Sequence, residues 1–225
     1  MTLHSYQFLV RPLAAALASA TLALSFGGCA PLVVGGAMVG GAMVATDRRS
    51  SGAQLEDQSI ELKAASRIKD VVGERGHINV TSYNRMVLLT GEAANEQVRQ
   101  AAEQAVAQLE NVRSLVNEIA IMGNSSMSTR SNDVFLQSKV KATFIDARDL
   151  QSQAFKVVTE RGIVYLMGMV TEREATRAAE LTRTISGVQK VVRVFEVVSE
   201  DELARTQPKS ASSAPSAPAR QQPAQ

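Results

Sequence analysis

Apolar side chains recur with helical spacing in several stretches of the chain. The clearest stretch has them at i, i+3, i+4, i+7, i+8 and i+11, a stripe made of Val98, Ala101, Ala102, Ala105, Val106 and Leu109. Two further stretches repeat at i, i+4 and i+8, namely Ile60, Ala64, Ile68 and Leu136, Val140, Phe144. Asp57 and Asp133 stand before these two stretches, where we expect the helices to begin. Asn95 is the expected cap of the clearest helix, and Thr171 opens a capping box with Glu174 at the start of a fourth.

Short β-rich runs lie between these helices. They form two pairs, residues 78–83 with 86–90 and residues 155–159 with 163–167. Only two or three residues join the members of each pair, and the turns Asn84-Arg85 and Arg161-Gly162 are short enough to predict tight hairpins. A final strand is predicted in each set, at 112–121 and 188–198. The order helix, strand, strand, helix, strand therefore occurs twice.

The two sets are copies of one sequence pattern. VTSYNRMVLLTG at 80–91 aligns without a gap with VVTERGIVYLMG at 157–168. We call residues 54–122 copy one, residues 123–130 the linker and residues 131–199 copy two. Each copy is predicted to be an α+β unit in which a three-stranded sheet carries two helices on one face.

The first 28 residues have the pattern of a secretory signal peptide. Their apolar run of 14 residues (13–26) is shorter than the roughly 20 residues that a membrane-spanning helix needs. Phe26-Gly27-Gly28-Cys29 resembles the lipobox of bacterial lipoproteins, which implies that Cys29 is acylated by chains such as palmitate. The alternative is an ordinary signal peptide followed by an incidental free cysteine.

Both ends of the folded part are predicted to be flexible. Residues 29–53 begin with Cys29 and are rich in glycine, which favours a tether, although Gly36 and Gly40 also have the spacing of a membrane-type helix contact. Residues 200–225 are rich in Pro, Ser, Ala and Gln and are expected to be disordered.

The repeated unit resembles a known domain. Its element order, the hairpins that end in Gly91 and Gly168, and the later Gly187-Val188 are similar to the BON domain. Two such copies behind a lipobox resemble the dual-BON-domain outer-membrane lipoproteins of Gram-negative bacteria, most closely at VYLMGMVTEREA (164–175). The resemblance covers about residues 29–199. It implies two tandem BON domains, a lipid anchor at the outer membrane facing the periplasm, and a role in envelope integrity.

Copy one departs from this pattern at two turn positions. Arg85 stands where copy two has Gly162, and Asn111 stands where copy two has Gly187. Because glycine adopts positive φ with little strain, the turns of copy one are expected to be of another type.

The composition contains little catalytic or metal-binding chemistry. One cysteine excludes an intrachain disulfide, and removal of His4 with the signal segment leaves only His77. These residues supply neither a Ser/His/Asp triad nor a zinc site. We therefore expect no enzyme activity, no cofactor, no metal and no small-molecule substrate.

The net charge of +2 is a sum of unlike parts. Residues 54–122 contain 7 Lys or Arg and 10 Asp or Glu, a net −3, whereas residues 131–199 contain 10 and 8, a net +2. This mild excess argues against nucleic acid, which needs a dense basic face. Anionic lipid headgroups are a better match, at about 1 kcal/mol for each basic side chain near the surface.

One aromatic residue is predicted to face away from the core of copy two. At 100° per residue, Phe135 lies about 140° from the middle of the core stripe of its helix, and Lys139 follows one turn later on the same side. An exposed aromatic beside a cation is typical of an interfacial anchor. Alternatively, Phe135 packs against copy one or the linker, or is an isolated surface residue. In the BON family this helix of the second domain is associated with anionic phospholipid, which implies a lipid contact at Phe135 and Lys139.

Together these features predict a non-enzymatic, lipid-anchored protein whose copy two binds an anionic phospholipid membrane. The alternative is an adaptor whose two domains bind envelope or division-site proteins, with membrane contact through Cys29 alone.

Overall fold

The computed structural model of the protein describes residues 47–206. Within this range there are five α-helices, α1 (Ser51–Val72), α2 (Glu96–Ala107), α3 (Met127–Asp146), α4 (Glu172–Arg183) and α5 (Glu200–Thr206). The strands are β1 (Gly76–Tyr83), β2 (Met86–Ala93), β3 (Ser114–Asn117), β4 (Ala120–Ile121), β5 (Phe155–Glu160), β6 (Ile163–Val170) and β7 (Lys190–Val197). The predictions for the signal segment, Cys29 and residues 207–225 lie outside the described residues.

Each copy has the predicted α+β order. In copy one β1 pairs antiparallel with β2, and β2 pairs parallel with β3 and β4. In copy two β6 is the central strand, antiparallel to β5 and parallel to β7. The parallel pairings follow from the helix that separates β2 from β3 and β6 from β7, because a parallel connection needs a crossover.

Two helices cover one face of each sheet. The predicted stripes of α1 and α2 pack on Val87, Leu89 and Ala93 of β2 in copy one. Leu136, Val140 and Phe144 of α3 form the corresponding core of copy two, where the rings of Phe144 and Phe155 meet edge to face at 5.1 Å. Asn95 caps α2 and the Thr171–Glu174 capping box is present, so both cap predictions are confirmed.

The opposite faces of the two sheets pack against each other. Their shared core contains Tyr83, Met86 and Leu88 of copy one with Tyr165, Met167 and Val194 of copy two. Polar contacts surround it, such as Asn79 Nδ2 to Glu160 Oε2 at 3.1 Å. The described part therefore has three apolar layers, one under each helix pair and one between the sheets.

Asp57 and Asp133 do not stand in front of the first helix of each copy, as predicted, because α1 begins at Ser51 and α3 at Met127. Both carboxylates are buried inside their helices and bind the hairpin turn of their own copy. Asp57 accepts the amides of Asn84 and Arg85 at 2.7 and 2.8 Å. Asp133 accepts those of Arg161 and Gly162, both at 2.8 Å. Each aspartate thus fastens a helix to a turn.

The turns of the two copies do not differ in the way predicted. Asn84 and Arg85 have φ of 49° and 66°, and Arg161 and Gly162 have 51° and 73°. Positive φ at both central residues is the type I′ geometry, so both hairpins share it. Asn111, with φ of 68°, likewise adopts the left-handed conformation of Gly187. Copy one keeps the backbone although it lacks the glycines.

Two other predictions need correction. The last strand of copy one is split into β3 and β4, and a bond from Ile119 N to Asn117 Oδ1 closes the turn between them. The tail predicted to be disordered from residue 200 begins with α5, whose Leu203 is buried. Helix α3 begins at Met127, inside residues 123–130 of the linker.

Candidate membrane-binding site

Helix α3 of copy two is fixed at several points along its inner side. The Ser126 hydroxyl caps its start by accepting the amide of Thr129 at 3.1 Å. Asp133 binds the β5–β6 turn, and Leu136, Val140 and Phe144 fill the core. With this side fixed, the rotation of the helix and the residues on its outer side are determined.

Phe135 lies on the outer side of α3. Its side chain is 62% exposed, and Lys139 Nζ lies 4.6 Å from the centre of its ring. A cation at this distance from an aromatic face is attracted by the ring quadrupole, by about 0.5–1 kcal/mol at an exposed site. The structure therefore brings the two predicted residues together as one cationic and aromatic pair on the surface.

Further apolar residues line the same helix, and sequence reasoning missed them. Met127, Val134 and Ile145 are 74%, 68% and 70% exposed. Their separations of 7 and 11 residues correspond to almost whole helical turns, so the three side chains form one row along α3. The signal that could have revealed this row is the second apolar repeat of α3, which lies opposite the core stripe.

The charges along this helix are mainly positive. Helix α3 has three basic residues, Arg130, Lys139 and Lys141, and two carboxylates, Asp133 and the terminal Asp146. Asp133 is buried and both of its oxygens accept turn amides. The outer side of α3 thus combines apolar side chains with basic ones and exposes no carboxylate before Asp146. This composition is typical of a helix that lies in a membrane interface.

An open cavity of about 920 Å³ adjoins Phe135 and Lys139. It is bordered by the linker, the Arg161–Gly162 turn and the loop that contains Gly187. The aromatic and cationic pair stands at the edge of a depression and not on a flat surface, which gives a headgroup-sized molecule room beside it.

The corresponding helix of copy one has a different outer side. With the offset of 76 residues between Asp57 and Asp133, Ser59 occupies the place of Phe135 and Lys63 that of Lys139. Helix α1 exposes Leu55 and Leu62 instead, and it carries carboxylates at Glu56 and Glu61. The two copies therefore share a fold but not this surface, and α1 provides a natural internal control for α3.

The turn next to the cavity is held by copy one. Arg161 Nη1 donates to Glu92 Oε1 and to the Gly91 carbonyl, both at 3.0 Å. Glu92 is fully buried and also accepts the Ser125 hydroxyl of the linker. Burial alone would raise the pKa of Glu92, but the hydrogen bonds from Ser125 and Arg161 lower it below its ordinary value. Sequence reasoning missed this contact, because nothing local pairs a strand glutamate with an arginine 69 residues away.

Residues 47–206 contain no group of three or more His, Cys, Asp or Glu side chains placed to hold a metal ion. Over the same range, none of the helices is both long enough and apolar enough to cross a membrane.

The chain belongs to the BON domain family. The model of the BON domain matches residues 57–123 and again residues 132–199, so both copies are BON domains.

Several known proteins resemble the chain over much of its length. It is 37% identical over 185 residues to the Outer membrane lipoprotein DolP of Haemophilus influenzae, covering 81% of this chain and 94% of the relative. It is 32% identical over 154 residues to the 21 kDa hemolysin of Actinobacillus pleuropneumoniae, covering 68% and 79%. An uncharacterized protein of Anaplasma centrale is 28% identical over 117 residues, covering 51% and 78%.

Proposed function

We propose that the protein is a non-enzymatic outer-membrane lipoprotein that faces the periplasm, supports envelope integrity and binds anionic phospholipid through copy two. Acylation at Cys29 would anchor it, since the lipobox pattern precedes that residue. A relative named as an outer membrane lipoprotein, aligned over 81% of the chain, supports this location.

The outer side of α3 is the observation that supports lipid binding by copy two. Phe135 and the row of Met127, Val134 and Ile145 supply apolar area, and the basic residues that accompany them outnumber the one exposed carboxylate of the helix, Asp146 at its C-terminal end. Each basic side chain near an anionic bilayer contributes about 1 kcal/mol, and partial burial of the aromatic ring adds a similar amount. Several weak contacts on one helix then give measurable binding only where the bilayer is anionic.

A soluble chain that starts at residue 46 tests this proposal, because it contains all described helices and strands and lacks Cys29. Its co-sedimentation is measured with vesicles of phosphatidylcholine alone and with vesicles of equal parts phosphatidylcholine and phosphatidylglycerol. We expect binding only to the second, and weaker binding as salt is raised, because salt screens exposed charges. If neither vesicle binds, the adaptor function remains, with Leu55 and Leu62 of copy one as the apolar surface for a protein partner.

A further inference from the structure

Arg48, which comes before copy one in the chain, is bound to copy two. Arg48 stands two residues before Ser50, the N-cap of α1, yet it donates hydrogen bonds to Gln151, Met169 and Glu174. These lie 103 to 126 residues further along the chain. The Arg48 side chain is only 4% exposed, so it is a buried guanidinium and not a surface charge.

Every N–H group of the Arg48 guanidinium has an acceptor. Nη1 and Nη2 donate to the two carboxylate oxygens of Glu174, both at 2.8 Å. Nη1 also donates to the Met169 carbonyl at 2.9 Å, while Nε and Nη2 donate to Gln151 Oε1 at 3.2 and 2.9 Å. Arginine has five N–H donors, and all five are used here. Bidentate pairs of an arginine with a carboxylate are among the strongest hydrogen-bonded contacts in proteins.

Glu174 depends on this contact. It belongs to the capping box of α4, where it accepts the Thr171 amide at 3.0 Å, and its side chain is 7% exposed. Burial alone would raise the pKa of Glu174, but the bonds from Arg48 and from the Thr171 amide lower it below its ordinary value. Without Arg48, the carboxylate would be buried without a charged partner, which is strongly unfavourable. The cap of copy two is therefore completed by a residue that comes before copy one.

The next residue binds the other copy. Arg49 Nη1 lies 2.7 Å from Asp57 Oδ2, and its guanidinium lies 4.2 Å from the centre of the Tyr83 ring. Asp57 in turn binds the hairpin turn of copy one. Two consecutive arginines at the start of the described residues thus bind different copies.

We propose that Arg48 is a staple that makes the end of the tether a structural part of copy two. The consequence for membrane attachment rests on the proposed function. Arg48, which follows Cys29 in the chain, is bound to copy two, and copy two carries the proposed lipid-binding helix α3. Arg48 follows Cys29 by 19 positions, and 19 residues of any conformation reach at most roughly 65 Å. Fixing Arg48 on copy two keeps that copy within reach of the bilayer.

Limited trypsin digestion of the full-length protein in detergent tests the staple directly. Trypsin must bind the Arg48 side chain in its specificity pocket. It therefore cuts after this residue only when the contacts of Arg48 with copy two are broken. Glu174→Gln keeps Arg48 and an acceptor for the Thr171 amide but removes the charge. We expect cleavage after Arg48, followed by mass spectrometry, to become at least about tenfold faster, because cutting tracks the population of the open form. Asp149→Asn, which breaks the exposed Arg177–Asp149 pair of the same copy, should leave the rate unchanged.

Hydrogen exchange of the full chain gives a second readout that does not need lipid. Arg48→Ala should reduce the protection of the amides at 171–174 against exchange. Arg48→Lys should restore only part of it, since lysine lacks the planar guanidinium that binds a carboxylate through two N–H groups. Equal cleavage rates for Glu174→Gln and the unaltered protein, or unchanged protection in Arg48→Ala, would overturn the staple. If the soluble chain from residue 46 fails to bind anionic vesicles while these changes occur, the proposed function is wrong and the staple stands.

Discussion

Asp57 provides the most quantitative test of how each copy is held together. Its carboxylate is 2% exposed and accepts four hydrogen bonds, from the Ser82 hydroxyl at 2.6 Å, the Asn84 and Arg85 amides at 2.7 and 2.8 Å, and Arg49 at 2.7 Å. Replacing it by alanine leaves two amides of a tight turn, the Ser82 hydroxyl and the partly buried Arg49 guanidinium without this acceptor. Removing one partner of a buried pair lowers the free energy of unfolding by about 3–5 kcal/mol.

Thermal unfolding of the chain from residue 46, followed by circular dichroism, measures this loss. For a domain of this size about 1 kcal/mol shifts Tm by 2–4 °C, so Asp57→Ala should lower Tm by about 6–20 °C. Asp70→Ala is the matched control, because Asp70 is exposed on the same helix, and its effect should stay within about 0.5 kcal/mol. A loss below about 1 kcal/mol for Asp57→Ala would refute the turn-fastening role.

The same contact predicts a pH dependence. Burial alone would raise the pKa of Asp57, but the bonds from Ser82, the Arg85 amide, Arg49 and the Asn84 amide lower it below its ordinary value. Folding is therefore stabilised at pH values above the unfolded pKa of about 3.9, and this contribution is lost as pH falls through the lower folded pKa. The difference in Tm between the unaltered protein and Asp57→Ala should shrink once the pH is below about 4. A constant difference down to strongly acidic pH would contradict this assignment.

Three further changes test the packing by urea unfolding. Gly91→Ala would place a Cβ against the His77 carbonyl oxygen at a φ of 108°, and should cost more than about 2 kcal/mol, whereas Gly123→Ala meets nothing within 4 Å and should cost little. Phe144→Ala, at a side chain 1% exposed, should cost about 3–5 kcal/mol through the cavity that it leaves, and a loss under 1 kcal/mol would contradict its core position. Leu203→Ala should cost about 1–3 kcal/mol if α5 packs as described, and no change would show that this helix contributes nothing.

Local periodicity was sufficient to predict most of the architecture. The stripe of α2, the hairpins and the repeat all depend on residues close in sequence, and the structure has each of them. The outer position of Phe135 could also be predicted, because the core stripe fixes the rotation of α3. Its role in lipid binding stays a prediction.

Sequence reasoning missed three features, of which two depend only on long-range contacts. The layer between the sheets had a local signal, since Val164, Tyr165, Leu166 and Met167 are apolar on both faces of β6, as in a strand buried on both sides. The role of Asp57 had no local signal, because the turn to which this buried helical carboxylate binds lies 27 residues later in the chain. Arg48 had none either, since its partner Glu174 is 126 residues away.

If copy two binds anionic lipid through the outer side of α3, as proposed, the same substitution must have different effects on α3 and on α1. Phe135→Glu and Leu62→Glu place the same charge on exposed apolar positions of α3 and α1, which are 62% and 74% exposed. In co-sedimentation with phosphatidylglycerol-containing vesicles, Phe135→Glu should weaken binding of the chain from residue 46 by at least about tenfold, through lost aromatic contact and added repulsion. Leu62→Glu should bind like the unaltered chain. Equal binding by all three proteins, or a larger loss in Leu62→Glu, would contradict the account.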